Sequence, residues 1–161
     1  MEVAGRARAV NASIVRSLFV SLSRFDLLKL IFGGEKIRED KRQALYAETM
    51  FMVLSGAARA DLNIEPVELK RIHKILRNKL DQDISEHDIQ LAGETELFET
   101  APIQKYVSRA SRFLTVEQRQ EVLRAMIEVF LSDGVLGPLE KAYFDSIVDA
   151  LHLKPSEMLA L

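Results

Sequence analysis

Two stretches of the chain share one pattern, and that pattern decides the fold. Residues 61–68 read DLNIEPVE, and residues 133–140 read DGVLGPLE. Both have the form Asp-x-x-(Ile/Leu)-x-Pro-x-Glu, and the two copies lie 72 positions apart. Because proline is favoured in the first turn of a helix, each copy predicts a junction where one helix ends and the next begins.

Apolar residues on both sides of the pattern align at the same offset of 72 positions. The aligned pairs are Met50 with Val122, Phe51 with Leu123, Leu54 with Met126, Ala57 with Val129, Ala58 with Phe130, Val67 with Leu139, Ile72 with Phe144, Ile75 with Ile147 and Leu76 with Val148. The alignment ends at Leu80 against His152. Matching apolar faces of this kind predict two copies of one helix–loop–helix unit, over about residues 45–80 and 117–152.

The rest of the chain also has helical periodicity, and no strand-like alternation persists. We therefore predict an all-α fold, a compact bundle of seven to eight helices with a helical insert at residues 81–114. We expect residues 1–34 to contain an N-terminal amphipathic helix and a Gly-Gly break, and residues 35–161 to form the helical domain. The expected helices cover about 37–60, 66–80, 86–98, 102–114, 115–132 and 138–151, with a last turn from Pro155. The capping pairs Ser85/Asp88 and Thr115/Gln118 mark two of the starts.

Composition excludes several classes of function. The 161 residues carry a net charge of −2, which gives no overall attraction to nucleic acid or to an anionic membrane. Charge is uneven, at +4 over residues 1–45 and −8 over residues 81–161.

Cysteine is absent, which removes disulfides and thiolate metal sites and fits a reducing compartment. No apolar run approaches the ~20 residues of a transmembrane helix, and no signal peptide is recognisable, so we expect a cytoplasmic protein.

The repeated pattern has a structural interpretation. Glu65 and Gly137 would occupy the N-cap, and the prolines would begin the helices. Glutamate at the third helical position can then reach back to a free backbone amide. Gly134 can adopt the left-handed conformation that ends the preceding helix. Two further apolar residues, Ile64 and Leu136, would pack the loops onto the core.

The pattern has a chemical interpretation as well. Asp61 and Asp133 follow the C-terminal end of a helix, where the helix dipole disfavours a negative charge. Together with Glu68 and Glu140 they supply hard oxygen ligands suited to Ca²⁺ or Mg²⁺. One loop supplies only two carboxylates, whereas Ca²⁺ takes six to eight oxygen ligands. Two loops that face each other would supply four carboxylates, with water completing the shell. The loop is not an EF-hand, because it has eight positions instead of twelve and lacks the Asp-x-Asp-x-Asp-Gly run.

The sequence ARADLNIEPVE at residues 58–68, with LSDGVLGPLEKAYFDSIVDALHL at 131–153, resembles the tellurite-resistance TerB-like family. LLKLIFGGE at 27–35 is similar to the leader of its stand-alone bacterial members, so the resemblance covers about residues 27–161. It implies an all-helical bacterial protein of tellurite and stress-response systems with an acidic metal-binding surface and membrane-linked partners. In this chain the residues that match the acidic positions of the family are Asp61, Glu68, Asp133 and Glu140. Leu62 departs from the pattern, because the family usually has glycine there.

Two hypotheses of function follow. The first is a non-enzymatic binding module that responds to a divalent cation. The alternative is an adaptor in which residues 12–32 contact an anionic membrane surface, a protein partner or a second subunit of a homodimer, while the acidic loops are purely structural.

Other functions are less well supported by the sequence. A hydrolytic metalloenzyme is not expected, because no nucleophile or base is visible beside the carboxylates. Nucleic acid is not an expected partner, because the basic run from Lys70 to Lys79 has no interleaved aromatics. The scattered histidines, His73, His87 and His152, lack the spacing of metal ligands and are expected at the surface or at helix caps.

Overall fold

Every regular element in the described part of the chain is an α-helix. The computed structural model describes residues 39–60, 64–94, 103–132, 134 and 136–159. In chain order the helices are α1 (Glu39–Ala57), α2 (Pro66–Leu80), α3 (Glu86–Glu94), α4 (Ile103–Ala110), α5 (Val116–Phe130), α6 (Pro138–Leu151) and α7 (Pro155–Met158). The predicted all-α fold is therefore confirmed, with seven helices among these residues.

The chain divides into two compact units, residues 1–44 and residues 45–161. The described part of the first unit is the start of α1, where the side chains of Arg42 and Gln43 donate hydrogen bonds to the Glu39 carboxylate, at 2.7 and 3.0 Å. The second unit contains the rest of α1 and all later helices. The predicted amphipathic helix over 12–32 and the Gly-Gly break lie outside the described residues.

Within the second unit, α1 is buried on nearly every side. All residues from Leu45 to Ala57 are buried except Glu48, which is half-buried. A helix that is shielded from solvent all round forms the core of its domain instead of covering it. This explains why its sequence shows aligned apolar residues without a clear polar face.

Helix α5 is the second organising element of this unit. The helices α2, α6 and α7 all pack against it, while α4 packs against α6 and α3 against α2. The Arg119 guanidinium on α5 also donates to the carbonyl oxygens of Leu151 and His152, at 3.1 and 3.0 Å. These bonds satisfy carbonyls at the end of α6 that have no partner within their own helix.

Local capping chemistry sets the helix starts. The Thr115 hydroxyl accepts from the Gln118 amide at 3.2 Å, and the Gln118 side chain accepts from the Thr115 amide at 3.0 Å. The Ser85 hydroxyl likewise accepts from the Asp88 amide at 3.2 Å. Both predicted capping pairs are thus confirmed, because each depends only on residues three positions apart.

The helix ends were predicted less accurately. We expected α1 to continue to Ala60, but it ends at Ala57, since the amides of Arg59 and Ala60 donate to carbonyls three residues back. Such bonds tighten the final turn into a 3₁₀ conformation, which apolar periodicity does not reveal.

The C-terminal caps of α2 and α6 are alike. Asp81 and His152 both adopt the left-handed conformation, with φ 51° and ψ 36° or 37°. Helix α2 has 15 residues and α6 has 14, so their caps lie 71 positions apart, although their first residues lie 72 apart. The sequence alignment therefore ends at Leu80 against His152, because one position is still helical while the other is the cap.

Candidate functional site

The two helix junctions are constructed in the same way where the structure describes them. Glu65 and Gly137 are the N-cap residues, with extended backbones at φ −78°, ψ 132° and φ −72°, ψ 164°. A proline follows each of them as the first helical residue. Glu68 and Glu140 occupy the third helical position and are only 3% and 5% exposed. Both predicted N-caps are therefore confirmed, and two of the four predicted cation ligands are buried carboxylates.

Each buried glutamate folds back onto its own N-cap. The Glu65 amide donates to Glu68 Oε2 at 3.4 Å, and the Gly137 amide donates to Glu140 Oε2 at a shorter distance. A Cβ built at Gly137 would lie 3.2 Å from Glu140 Oε2, which is a close contact. Glycine at the second junction thus leaves room for a tight bond, whereas Glu65 carries a Cβ at the equivalent place. The predicted role of these glutamates in capping is confirmed.

The two aspartates, Asp61 and Asp133, lie outside the described residues, as do Leu62 and Asn63. Between the two described segments of the second junction, Gly134 is exposed and has φ +84°. This is the predicted left-handed conformation, in which a non-glycine residue would be strained. The structure therefore locates the glutamate of each pair but provides no test of the cation site that combines it with its aspartate.

One prediction about the loops was wrong. Ile64 is half-buried, but Leu136 is 48% exposed and does not pack its junction onto the core. Leu131 and Leu139, which flank the same junction, are 67% and 53% exposed. The Glu140–Gly137 hydrogen bond is therefore the contact by which we explain closure of the described part of the second junction.

Metal coordination by side chains of the described residues alone is not indicated. Among them, no group of three or more His, Asp or Glu side chains lies close enough together to hold an ion. The helices α2 and α6, which carry Glu68 and Glu140, both pack against α5. A cation at either junction would therefore depend on the aspartates together with these glutamates, as the sequence analysis proposed.

A half-buried carboxyl group on α1 was missed by the sequence analysis. Burial raises the pKa of Glu48 to about 7, although the neighbouring Tyr106 hydroxyl acts in the opposite direction. Burial, followed by the charge of Glu48, raises the pKa of Tyr106 well above its usual range. Thr49, which lies beside them, donates its hydroxyl to the Leu45 carbonyl at 2.7 Å. The only signal in the sequence was an acidic residue inside the apolar stretch from Leu45 to Ala57.

Two other tyrosines join distant parts of the second unit. The Tyr46 hydroxyl donates to the Glu121 carboxylate, which also lies 3.6 Å from Lys79 Nζ. The Tyr143 hydroxyl donates to the Val53 carbonyl at 2.8 Å. Burial raises the pKa of both phenols, so they remain protonated donors at neutral pH.

Two histidines have structural partners. His73 Nδ1 lies 2.7 Å from the Ile84 carbonyl oxygen, in a half-buried position on α2. His152 caps α6, and its Nε2 atom lies 2.9 Å from the Ser108 hydroxyl. His87 is exposed on α3. The positions of His87 and His152 agree with the prediction of surface and capping roles, whereas His73 is half-buried and contacts the connection between α2 and α3.

No helix among the described residues combines the length and apolar character needed to cross a bilayer. Residues 12–32, which carry the adaptor hypothesis, lie outside the described part of the chain. Association of that segment with a membrane, a protein partner or a second subunit therefore stays a prediction.

Comparison with known proteins gives one clear relationship. The family model described as tellurite resistance protein TerB matches residues 47–161, which is more than two thirds of the chain. No curated protein and no solved structure gives a significant match. The matched segment begins within the buried part of α1 and includes both helix junctions. The chain therefore belongs to the tellurite resistance protein TerB family.

Proposed function

We propose that this TerB module acts as a non-enzymatic binding domain that responds to a divalent cation. Membership of the family links the chain to tellurite resistance. The proposed ligands are Asp61, Glu68, Asp133 and Glu140, and the proposed ion is Ca²⁺ or Mg²⁺, because carboxylate oxygens are the ligands that both prefer.

The environment of Glu140 carries the proposal. Its carboxylate is 5% exposed and accepts a hydrogen bond from the Gly137 amide. Within the described residues, no lysine or arginine forms an ion pair with it. Burying a carboxylate is costly, and a cation on its second oxygen would add to the compensation that the Gly137 amide and the positive end of α6 supply. Asp133, seven positions earlier in the same junction, would supply a second carboxylate to that ion.

The second junction is the more suitable of the two for an ion. Gly134 adopts the left-handed conformation, and a Cβ built there would meet no atom within 4 Å. Gly134 itself is therefore open to solvent. In the first junction Leu62 replaces the glycine at the equivalent position, so we expect Asp61 to contribute less to binding than Asp133.

Isothermal titration calorimetry of the full chain with Ca²⁺ and with Mg²⁺ tests the proposal. Asp133→Asn should abolish the heat of binding, and Asp61→Asn should weaken it less. Asp145→Asn is the matched control, because Asp145 is an exposed carboxylate of α6 that already pairs with Lys141 at 2.8 Å. Absence of heat for both ions, or equal losses in the Asp133 and control variants, would contradict the proposal.

A further inference from the structure

Helix α2 is strongly basic within an acidic unit. Residues 45–161 carry 13 Lys or Arg and 19 Asp or Glu side chains. Five of those basic residues and only one acidic residue lie in the 15 positions of α2. The helix therefore has a net charge of +4, while the rest of the unit has −10. A local excess of this size raises the question of what these cations bind.

Two of the five cations are used inside the fold. Arg71 lies 3.3 Å from the Glu128 carboxylate, and Lys79 lies 3.6 Å from the Glu121 carboxylate. Both glutamates belong to α5, and the order of the pairs shows that α2 and α5 run antiparallel along this seam. On the opposite edge of α2, His73 contacts the Ile84 carbonyl, as described above. The two edges of α2 are therefore occupied by contacts within the unit.

The other three cations lie between those edges and point away from the core. Lys70, Lys74 and Arg77 are all exposed, and within the described residues none of them forms an ion pair. Their spacing of four and three residues places them on one face of the helix, over about 10 Å of its length. Val67, which is 44% exposed, lies on the same face one turn earlier. We call these four residues the α2 stripe.

We propose that the α2 stripe is a docking surface for an acidic helical segment of a partner protein. Such a segment would present carboxylates at a spacing of four and three residues to the three cations, and an apolar side chain to Val67. Charged groups arranged in this way fix orientation and register more than they add raw affinity. The inference is independent of cation binding at the junctions, because none of its residues belongs to the proposed ion site.

Charge complementarity favours a short acidic segment over an extended anionic surface. Only three cations are available, and the unit that carries them has a net charge of −6. An anionic bilayer would meet the rest of this negative charge as it approached, whereas a single helix contacts the stripe alone. The stripe also lacks aromatic side chains on which nucleic-acid bases could stack.

The chain offers a matched control surface. Lys105, Arg109 and Arg112 are also exposed and have the same spacing of four and three residues, on α4 and the turn after it. The large exposed apolar residues of the described chain include none between residues 103 and 114. This second triplet thus has the charge of the α2 stripe without its apolar contact.

Fluorescence anisotropy of the full chain tests the proposal. The probe is a labelled helical peptide with glutamates at positions i, i+4 and i+7 and a leucine one turn before them. A peptide of identical composition with scrambled positions is the reference. The proposal expects binding of the ordered peptide, weakening with added salt, and a loss of about tenfold or more in Lys70→Glu/Lys74→Glu/Arg77→Glu. Val67→Ala should weaken binding by roughly twofold to fivefold. Circular dichroism of each variant verifies that the helices remain, as expected for exposed positions.

Three results would overturn the proposal. The first is equal affinity for the ordered and scrambled peptides, or no binding of either. The second is an equal loss in the control variant Lys105→Glu/Arg109→Glu/Arg112→Glu, because that would indicate general electrostatic attraction. The third is binding through Lys70, Lys74 and Arg77 to phosphatidylserine vesicles in preference to the peptide, which would identify the stripe as a lipid-binding surface.

Discussion

Replacing Glu48 with glutamine should stabilise the protein in neutral and weakly alkaline solution. Glu48 is the one residue between Leu45 and Ala57 that is not buried. Its pKa is raised to about 7, mainly by burial, from an ordinary value of 4.5. The folded state therefore holds a proton on this carboxyl group that the unfolded state has already released. Glutamine has nearly the same shape and carries no charge at any pH.

The magnitude follows from the difference between the two pKa values. A rise of one pKa unit corresponds to about 1.4 kcal/mol, so the shift of Glu48 from 4.5 to about 7 corresponds to at most about 3.5 kcal/mol. Because the folded pKa is the higher one, this stability is fully present below pH 4.5 and is lost as the pH rises through 7. Glu48 is only half-buried, so we expect a gain of roughly 1–3 kcal/mol in the glutamine variant above pH 7 and almost none below pH 4.5.

Urea denaturation followed by circular dichroism, repeated at several pH values, measures this effect directly. The quantity of interest is the unfolding free energy of Glu48→Gln minus that of the original chain, since contributions common to both proteins cancel in this difference. Glu86→Gln serves as the control, because Glu86 is exposed on α3 and its difference should be near zero throughout. A difference for Glu48→Gln that does not change with pH would refute the reasoning.

Three further substitutions test the packing described above. Gly93→Ala should lower the free energy of unfolding in urea by about 1–3 kcal/mol, because a Cβ at Gly93 would lie 2.9 Å from the Ser55 carbonyl oxygen, which cannot move independently of its helix. Gly137→Ala should cost about 1 kcal/mol in the same assay, because its Cβ would displace the Glu140 carboxylate from the N-cap amide. Met126→Ala should cost about 2–5 kcal/mol and lower the melting temperature, since Met126 is completely buried in α5.

The matched control for these substitutions is Leu91→Ala, at a position 51% exposed on α3, which should change the midpoint little. If Gly93→Ala leaves the free energy of unfolding unchanged, α3 can shift away from α1 at no cost. A neutral Gly137→Ala would mean that the bond to Glu140 does not stabilise the second junction.

The parts of the fold that were predictable from sequence depend on neighbouring residues. Pro66 and Pro138 begin their helices as expected, and both capping pairs form, because each signal acts over one helical turn. The position of the two glutamates in the first helical turn was predictable for the same reason. Their burial could not be derived from the pattern, since it depends on packing against other helices.

The parts that were not predictable depend on contacts between distant positions. Tyr143 and Val53 are 90 positions apart, and Tyr46 and Glu121 are 75 apart. Neither pair has a local spacing that would identify it. The pKa of Glu48 likewise results from the partial burial of its carboxyl group by other parts of the fold, and a single acidic residue in an apolar stretch does not reveal this. Of the proposed cation site, the sequence identified the ligand types, and the structure located the two glutamates.

The one-residue difference in length between α2 and α6 has a directional consequence. A helix turns by about 100° per residue, so ending one position earlier rotates the point of exit by nearly a third of a turn. The chain leaves both helices through the same left-handed cap, so the difference in length contributes directly to the difference in direction. After Asp81 the chain continues into α3, which packs on α2, whereas after His152 it enters α7, which packs on α5. A difference of one residue in length thus helps two closely similar helices to be followed by segments that pack on different helices.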